Sequence, residues 1–241
     1  MNATPTPQSS PEASTVIGEA VKPTLVVATE NQHKAREIGQ ILAESIPGLD
    51  VSTLAAMSIF GVSAPREDGI TFAENALIKA RHCAEATGLP AIADDSGLTV
   101  DVLGGAPGIF SARWAGKHGD DVANRRLLLA QLADIPREHR KAQFVCAVGV
   151  VIPGENGELT EHVFEGICPG VLDFAERGEN GFGYDPIFVP DGFAKTSAEM
   201  SESEKNRISH RGKAIRLATP LLQNILKERS RHARPSDQPG Q

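Results

Sequence analysis

The 241-residue chain has only three cysteines, Cys83, Cys146 and Cys168, far apart and without a CxxC pair. That excludes a disulfide framework and the common cysteine-rich zinc modules, and an odd number cannot all pair within one chain. Buried, reduced thiols are the expected state. Basic residues form no long run, and 24 Lys and Arg against 31 Asp and Glu give a formal net charge of -7, so a polymeric nucleic-acid partner is not expected. A small polyanion is compatible with that balance, because a metal ion and a few cationic side chains can hold phosphates inside an acidic protein. No stretch approaches the roughly 20 apolar residues of a membrane span. Residues 1–23 also lack the basic and apolar segments of a secretory signal. The expectation is a cytoplasmic protein with no membrane partner. Two further absences are an internal repeat and the glycine spacing of a Walker A loop.

Ordinary globular features are present. A hydrophobic content of 40% with 23% charged residues argues against wholesale disorder. The ends, 1–23 and 230–241, are polar and proline-bearing and read as tails around one folded domain at 24–229. That domain opens with a β-branched apolar run at 24–28, the pattern of a buried strand. Ala35, Ile38, Ile41 and Leu42 follow at helical spacing, so a helix begins near Asn31. A second helix is predicted from Thr71, with Thr71 and Glu74 as a capping box and Phe72, Ala76, Ala80, Cys83 and Ala84 on one face. Two short extended segments, 91–93 and 98–103, are predicted on either side of Asp94-Asp95-Ser96-Gly97. A helix at 120–132, a long antiparallel hairpin from 144 to 167, a Gly-rich loop at 178–184 and one last helix over 203–227 complete the reading. The class is α/β with a mixed sheet.

Four constellations carry chemistry. Thr29-Glu30-Asn31-Gln32-His33-Lys34 lies where a strand turns into a helix, and free N–H groups at a helix start favour a phosphate. Asn31 could equally serve as a plain helix cap. The carboxylates of Asp94-Asp95-Ser96-Gly97, joined by Glu67 and Asp68, supply hard oxygen ligands suited to Mg²⁺, although Asp-Asp-Ser-Gly alone is more often a turn. In Gly181-Phe182-Gly183-Tyr184-Asp185, which holds the only tyrosine, an aromatic ring flanked by glycines can lie against a nucleobase, and the loop can equally be a structural turn with a buried aromatic. Lys205, His210 and Arg211 are donors suited to base carbonyls or phosphates, although a charged helical face is the commoner meaning of such residues.

In this order, Thr29 to Lys34, Thr71-Phe72-Ala73-Glu74-Asn75-Ala76, Ala93-Asp94-Asp95-Ser96-Gly97-Leu98, the Gly181 to Pro186 loop and Ser209-His210-Arg211-Gly212 resemble the inosine triphosphate pyrophosphatase family. That family includes the bacterial dITP/XTP pyrophosphatases, which remove non-standard purine nucleotides, and the resemblance spans residues 24–227. It implies a homodimer with a long central mixed sheet flanked by helices, an active-site cleft between two lobes, Mg²⁺ dependence, and hydrolysis of ITP, dITP or XTP to the monophosphate and pyrophosphate. It further implies that Thr29 to Lys34 bind the triphosphate and that Glu67 and Asp95 handle the metal. Asp95 is then also the general base, Ser96 contacts substrate, and Phe182, Gly183, Tyr184 and Asp185 with Lys205, His210 and Arg211 surround base and sugar. Two residues depart from the family pattern: Glu30, whose charge would repel a phosphate if it faced the site, and Asn180, where glycine is frequent. A pyrophosphatase of other modified nucleotides, a phosphomonoesterase and a non-catalytic nucleotide-binding module are the competing readings.

Overall fold

The computed structural model describes residues 22–232. The predicted tails lie outside them except at 22–23 and 230–232, the latter being the end of the last helix. Six strands, β1 (Leu25–Val27), β2 (Leu54–Ala56), β3 (Ala91–Val100), β4 (Lys141–Pro153), β5 (Leu159–Leu172) and β6 (Phe188–Pro190), form one sheet in the order β2-β1-β3-β4-β5-β6. β1 pairs in parallel with β2 and β3, and all later pairings are antiparallel, so the sheet is mixed as expected.

The helices cover both faces. α1 (Gln32–Ser45) and α5 (His210–His232) pack on one side, where Ile38, Ile41, Ile92, Val148, Ile215 and Leu222 form a common core. α2 (Phe72–Thr87) covers the other through Ala80, Cys83 and Ala84 against Ala91, Ala93 and Val151. Full burial of each Ile or Leu in such a layer contributes about 1.5–3 kcal/mol before entropy is counted. α3 (Asp121–Gln131) packs through Leu128 against Leu98, Val100 and Leu172, and α4 (Glu202–Ile208) directly precedes α5. Gly166 of β5 lies so close to the α5 backbone at His210 and Ala214 that a Cβ there would collide with it.

The structure corrects three sequence expectations. β3 runs unbroken from Ala91 to Val100 through Asp94-Asp95-Ser96-Gly97, because every residue pairs in register with β4, from Ala91↔Val151 to Val100↔Ala142. A turn motif becomes mid-strand when cations on neighbouring helices compensate its charge. The predicted last helix is two helices, since Ser209 is extended (φ -64°, ψ 155°) and its hydroxyl accepts the Gly212 N–H at 3.0 Å, which starts α5 afresh. The Thr71 hydroxyl does cap α2 by accepting the Glu74 N–H at 3.1 Å. The Glu74 carboxylate, however, accepts from Ile70 N–H at 2.7 Å, one residue before the position a capping box uses.

Candidate active site

β3 is where the site begins. Side chains alternate across a strand, so the adjacent aspartates serve opposite faces: Asp94 meets α1 and α5, and Asp95 meets α2. Beside this strand opens a cleft of about 600 Å³, lined by the α1 turn, Glu67, Lys79, Asp95, Ser96, Phe182 to Asp185, Lys205, His210 and Arg211. It brings together the predicted site residues except Gln32 and Asp68, which are exposed, and Asp94, which is buried against α1 and α5.

At the α1 turn, the Asn31 side-chain oxygen accepts the N–H groups of His33 (2.9 Å) and Lys34 (3.1 Å). Asn31 is therefore the helix cap, and those two amides are already engaged. The groups left to hold an anion are the Lys34 ammonium, the Thr29 hydroxyl, which accepts from Asn31 N–H at 3.2 Å and still has its proton to give, and the Asn31 side-chain NH₂. The charge of Glu30 is tied to the rim, where its carboxylate accepts the Ala64 N–H at 3.0 Å.

On the α2 face, Lys79 Nζ lies 3.2 Å from Asp95 Oδ1 and 3.1 Å from Glu67 Oε2, while Asn75 Nδ2 donates to Asp95 Oδ2 at 3.3 Å. Burial pushes the Asp95 carboxyl above its ordinary value; Lys79 and Lys34 oppose the shift, and Glu67 and Asp94 add to it. Burial works against the Lys79 charge, but Asp95, Asp94 and Glu67 together hold the ammonium more firmly protonated than usual.

The opposite face carries a chain of alternating charges. Asp94 Oδ2 receives Arg211 Nε (3.1 Å) and Nη2 (2.9 Å), Lys34 Nζ (3.2 Å) and the Ser96 hydroxyl (3.1 Å). Burial alone would raise this carboxyl, yet Arg211, Lys34 and Lys79 outweigh it and hold the group well below the usual carboxylate range. Arg211 Nη1 continues to Glu37, whose other oxygen accepts from Lys205 Nζ at 2.9 Å, and Lys205 Nζ reaches Asp185 Oδ2 at 2.7 Å. The guanidinium expected to read a base is thus largely committed to protein partners.

Phe182 stands at the end of this chain. Its ring stacks near His33 (centroids 5.7 Å apart, 28° between planes), with Lys205 Nζ 4.9 Å and the Arg211 guanidinium carbon 5.7 Å from its centroid. Tyr184 is buried in the core beside Phe188, its hydroxyl donating to the Ser111 carbonyl at 2.8 Å, so its ring supports the wall from behind. His210 is buried and stacked on Phe144 at 4.8 Å; burial, with Arg211 and Lys205 nearby, holds its pKa well below 6.5. Asn180 needs no left-handed backbone, since among the described residues no residue other than glycine has positive φ. Its NH₂ donates to Met200 O at 3.0 Å.

Sequence reasoning gave no role to Asn75, which it placed only within a motif, and missed Lys79 and Glu37. A signal for the first two existed: they are polar residues four apart on the otherwise apolar face of α2, and such polar interruptions mark functional positions. Glu37, one turn after Lys34, carried a weaker version of it.

The Ham1 family model matches residues 25–220. The dITP/XTP pyrophosphatase of Streptomyces coelicolor is 54% identical over 202 residues, covering 84% of this chain and 98% of that protein. The dITP/XTP pyrophosphatase of Yersinia pseudotuberculosis is 48% identical over 200 residues, with coverages of 83% and 98%. Among solved structures, a HAM1 protein from Coxiella burnetii is 39% identical with a TM-score of 0.71, covering 86% of this chain and 99% of its own. With a family model matched over most of its length and the mixed sheet shared with these structures, the chain belongs to the Ham1 family.

Proposed function

We propose that this chain is a nucleoside-triphosphate pyrophosphatase that hydrolyses dITP, XTP and ITP to the monophosphate and pyrophosphate. The observation that carries the reading is one cleft lined both by Asp95, a part-buried carboxylate held by Lys79 and Asn75, and by the Thr29 to Lys34 turn with its Lys34 ammonium. The Streptomyces and Yersinia relatives, both dITP/XTP pyrophosphatases, support it for dITP and XTP.

Lys34, Thr29 and Asn31 would take the triphosphate. Asp95 would accept the proton of the attacking water, and Lys79 on Oδ1 and Asn75 on Oδ2 hold the carboxylate in place for it. Water adds its oxygen to phosphorus, the α–β anhydride bond breaks, and pyrophosphate leaves with the bonding electrons. Mg²⁺ fits the residues present. Asp95 and Glu67 are hard oxygen donors converging on a point where a cation, the Lys79 ammonium, already sits. Among the described residues no group of three or more His, Cys, Asp or Glu could hold a metal ion, so Asp95 and Glu67 would hold Mg²⁺ only together with waters and substrate oxygens. When bound, the ion would neutralise charge on the phosphate oxygens.

For the base, Phe182 offers a stacking face. The remaining Arg211 Nη1 proton, the neutral His210 imidazole and Lys205 are donors toward a purine 6-carbonyl, which adenine lacks. The homodimer expected from the resemblance is part of the same proposal, and sedimentation of the full chain tests it. The activity is tested with a panel of ITP, dITP, XTP, GTP, ATP and p-nitrophenyl phosphate, with Mg²⁺ and with EDTA, separating pyrophosphate from orthophosphate. Pyrophosphate release from the first three in Mg²⁺ is expected. Orthophosphate as the product would replace this reading with a phosphomonoesterase, and tight binding without turnover would indicate a binding module.

A further inference from the structure

Phe182 sits between two glycines of positive φ, Gly181 (75°) and Gly183 (60°), a sequence that by itself leaves the ring free to wander. Three ties remove that freedom. The Phe182 N–H donates to Asp185 Oδ2 at 2.9 Å, and a Cβ on Gly181 would collide with the same carboxylate. The next residue is gripped on both of its backbone groups by α3: Gly183 N–H donates to Asp121 Oδ2 at 2.8 Å, and Gly183 C=O accepts from Arg125 Nη1 at 2.7 Å. Asp121 and Arg125 are four apart on one helical face, so a single turn of α3 presents acceptor and donor at the spacing of that residue. Arg125 is itself fixed from outside by Glu176 Oε2, 3.0 Å from Nη2.

Stability does not account for Arg125. It is 9% exposed, and its Nε is buried without a hydrogen-bond partner, so the fold carries an unpaired polar group that an aliphatic side chain of similar length would avoid. What the guanidinium provides is the orientation of the Gly183 carbonyl. We infer that Asp121 and Arg125 are positioning residues for nucleotide affinity, holding the Phe182 ring in its stacking pose beside Lys205 and Arg211 before substrate arrives. This rests on the reading of Phe182 as the base platform. Pre-organisation of this kind lowers the ordering cost of binding and leaves chemistry at Asp95 untouched.

The test is a kinetic cycle on the full chain with ITP in Mg²⁺, using Arg125→Leu, Phe182→Ala and the double variant, with inorganic tripolyphosphate as a base-free competitive inhibitor. Arg125→Leu should raise KM for ITP about tenfold, near the value of one base–aromatic stack, with kcat little changed and tripolyphosphate inhibition as in the wild type. In the Phe182→Ala background it should add nothing. Glu176→Gln, which loosens the guanidinium from the solvent side, should shift KM in the same direction by less, and it serves if Arg125→Leu fails to fold. An unchanged KM in the Arg125 and Glu176 variants, an equal loss with and without Phe182, or a parallel loss of tripolyphosphate binding would each overturn the inference. If Phe182→Ala itself leaves KM unchanged, the base-platform reading fails first and the positioning role falls with it.

Discussion

Arg211 and Asp94 form a two-pronged buried contact in which Nε (3.1 Å) and Nη2 (2.9 Å) converge on a single carboxylate oxygen, both residues being 1% exposed. The pair is tied to Lys34 on α1 and to Ser96 on β3, so one carboxylate joins three elements around the cleft.

Removing that charge should therefore damage the fold. Asp94→Asn leaves the Arg211 and Lys34 cations facing a neutral amide, and breaking one side of a buried ion pair costs about 3–5 kcal/mol. Denaturant unfolding of the two proteins measures this. A loss under 1 kcal/mol would mean that Arg211 finds adequate compensation in Glu37.

Asp95→Asn should separate chemistry from stability. Burial already disfavours the Asp95 charge, so the amide should be tolerated and the melting temperature held, while turnover of ITP falls by about 10²–10⁴, as expected for loss of a general base. Pyrophosphate release at saturating Mg²⁺, with circular dichroism as the fold control, decides it. Near wild-type turnover in the folded variant would remove Asp95 from both its catalytic and metal roles.

Phe182→Ala should raise KM for ITP by about tenfold with a smaller effect on kcat, because a stacking face is lost without disturbing Asp95. A kcat loss at constant KM would place the ring's function in the chemical step.

His210 gives stability a defined pH window. Its folded pKa is depressed well below 6.5 by burial, with Arg211 and Lys205 adding to the effect, while the unfolded chain titrates near 6.5. Below that pH the unfolded state binds the extra proton, so stability is fully present above about 6.5 and is lost as pH falls, by up to about 1.4 kcal/mol per unit. Chemical unfolding at pH 5.5 and 7.5 should show this slope, and His210→Phe, which keeps a ring against Phe144, should flatten it.

Among the described residues no helix is long and apolar enough to cross a membrane, and all three cysteines are buried and free, in line with the thiol expectation. Much of the architecture was legible locally. The caps at Asn31, Thr71 and Asp120 mark helix starts because a short polar side chain there answers orphan N–H groups within three residues. The β4–β5 hairpin is likewise a matter of alternation and a turn. The five ordered motifs were enough to place the chain in its family.

Local reading failed where a residue's meaning depended on a distant charge. Asp94-Asp95-Ser96-Gly97 carries the composition of a turn, and it becomes mid-strand only because Arg211, 117 residues later, and Lys79 on α2 bring cations to opposite faces of β3. The sequence by itself determined the elements, the family and the residue types at the cleft, since propensity, capping and alternation act over a few positions. Only the tertiary structure decided that Tyr184 supports the wall from the core, that Arg211 is committed to Asp94 and Glu37, and that Arg125 grips the Gly183 carbonyl. Pairing of buried charges and the fixing of a flexible loop are long-range contacts, which no local pattern in the chain encodes.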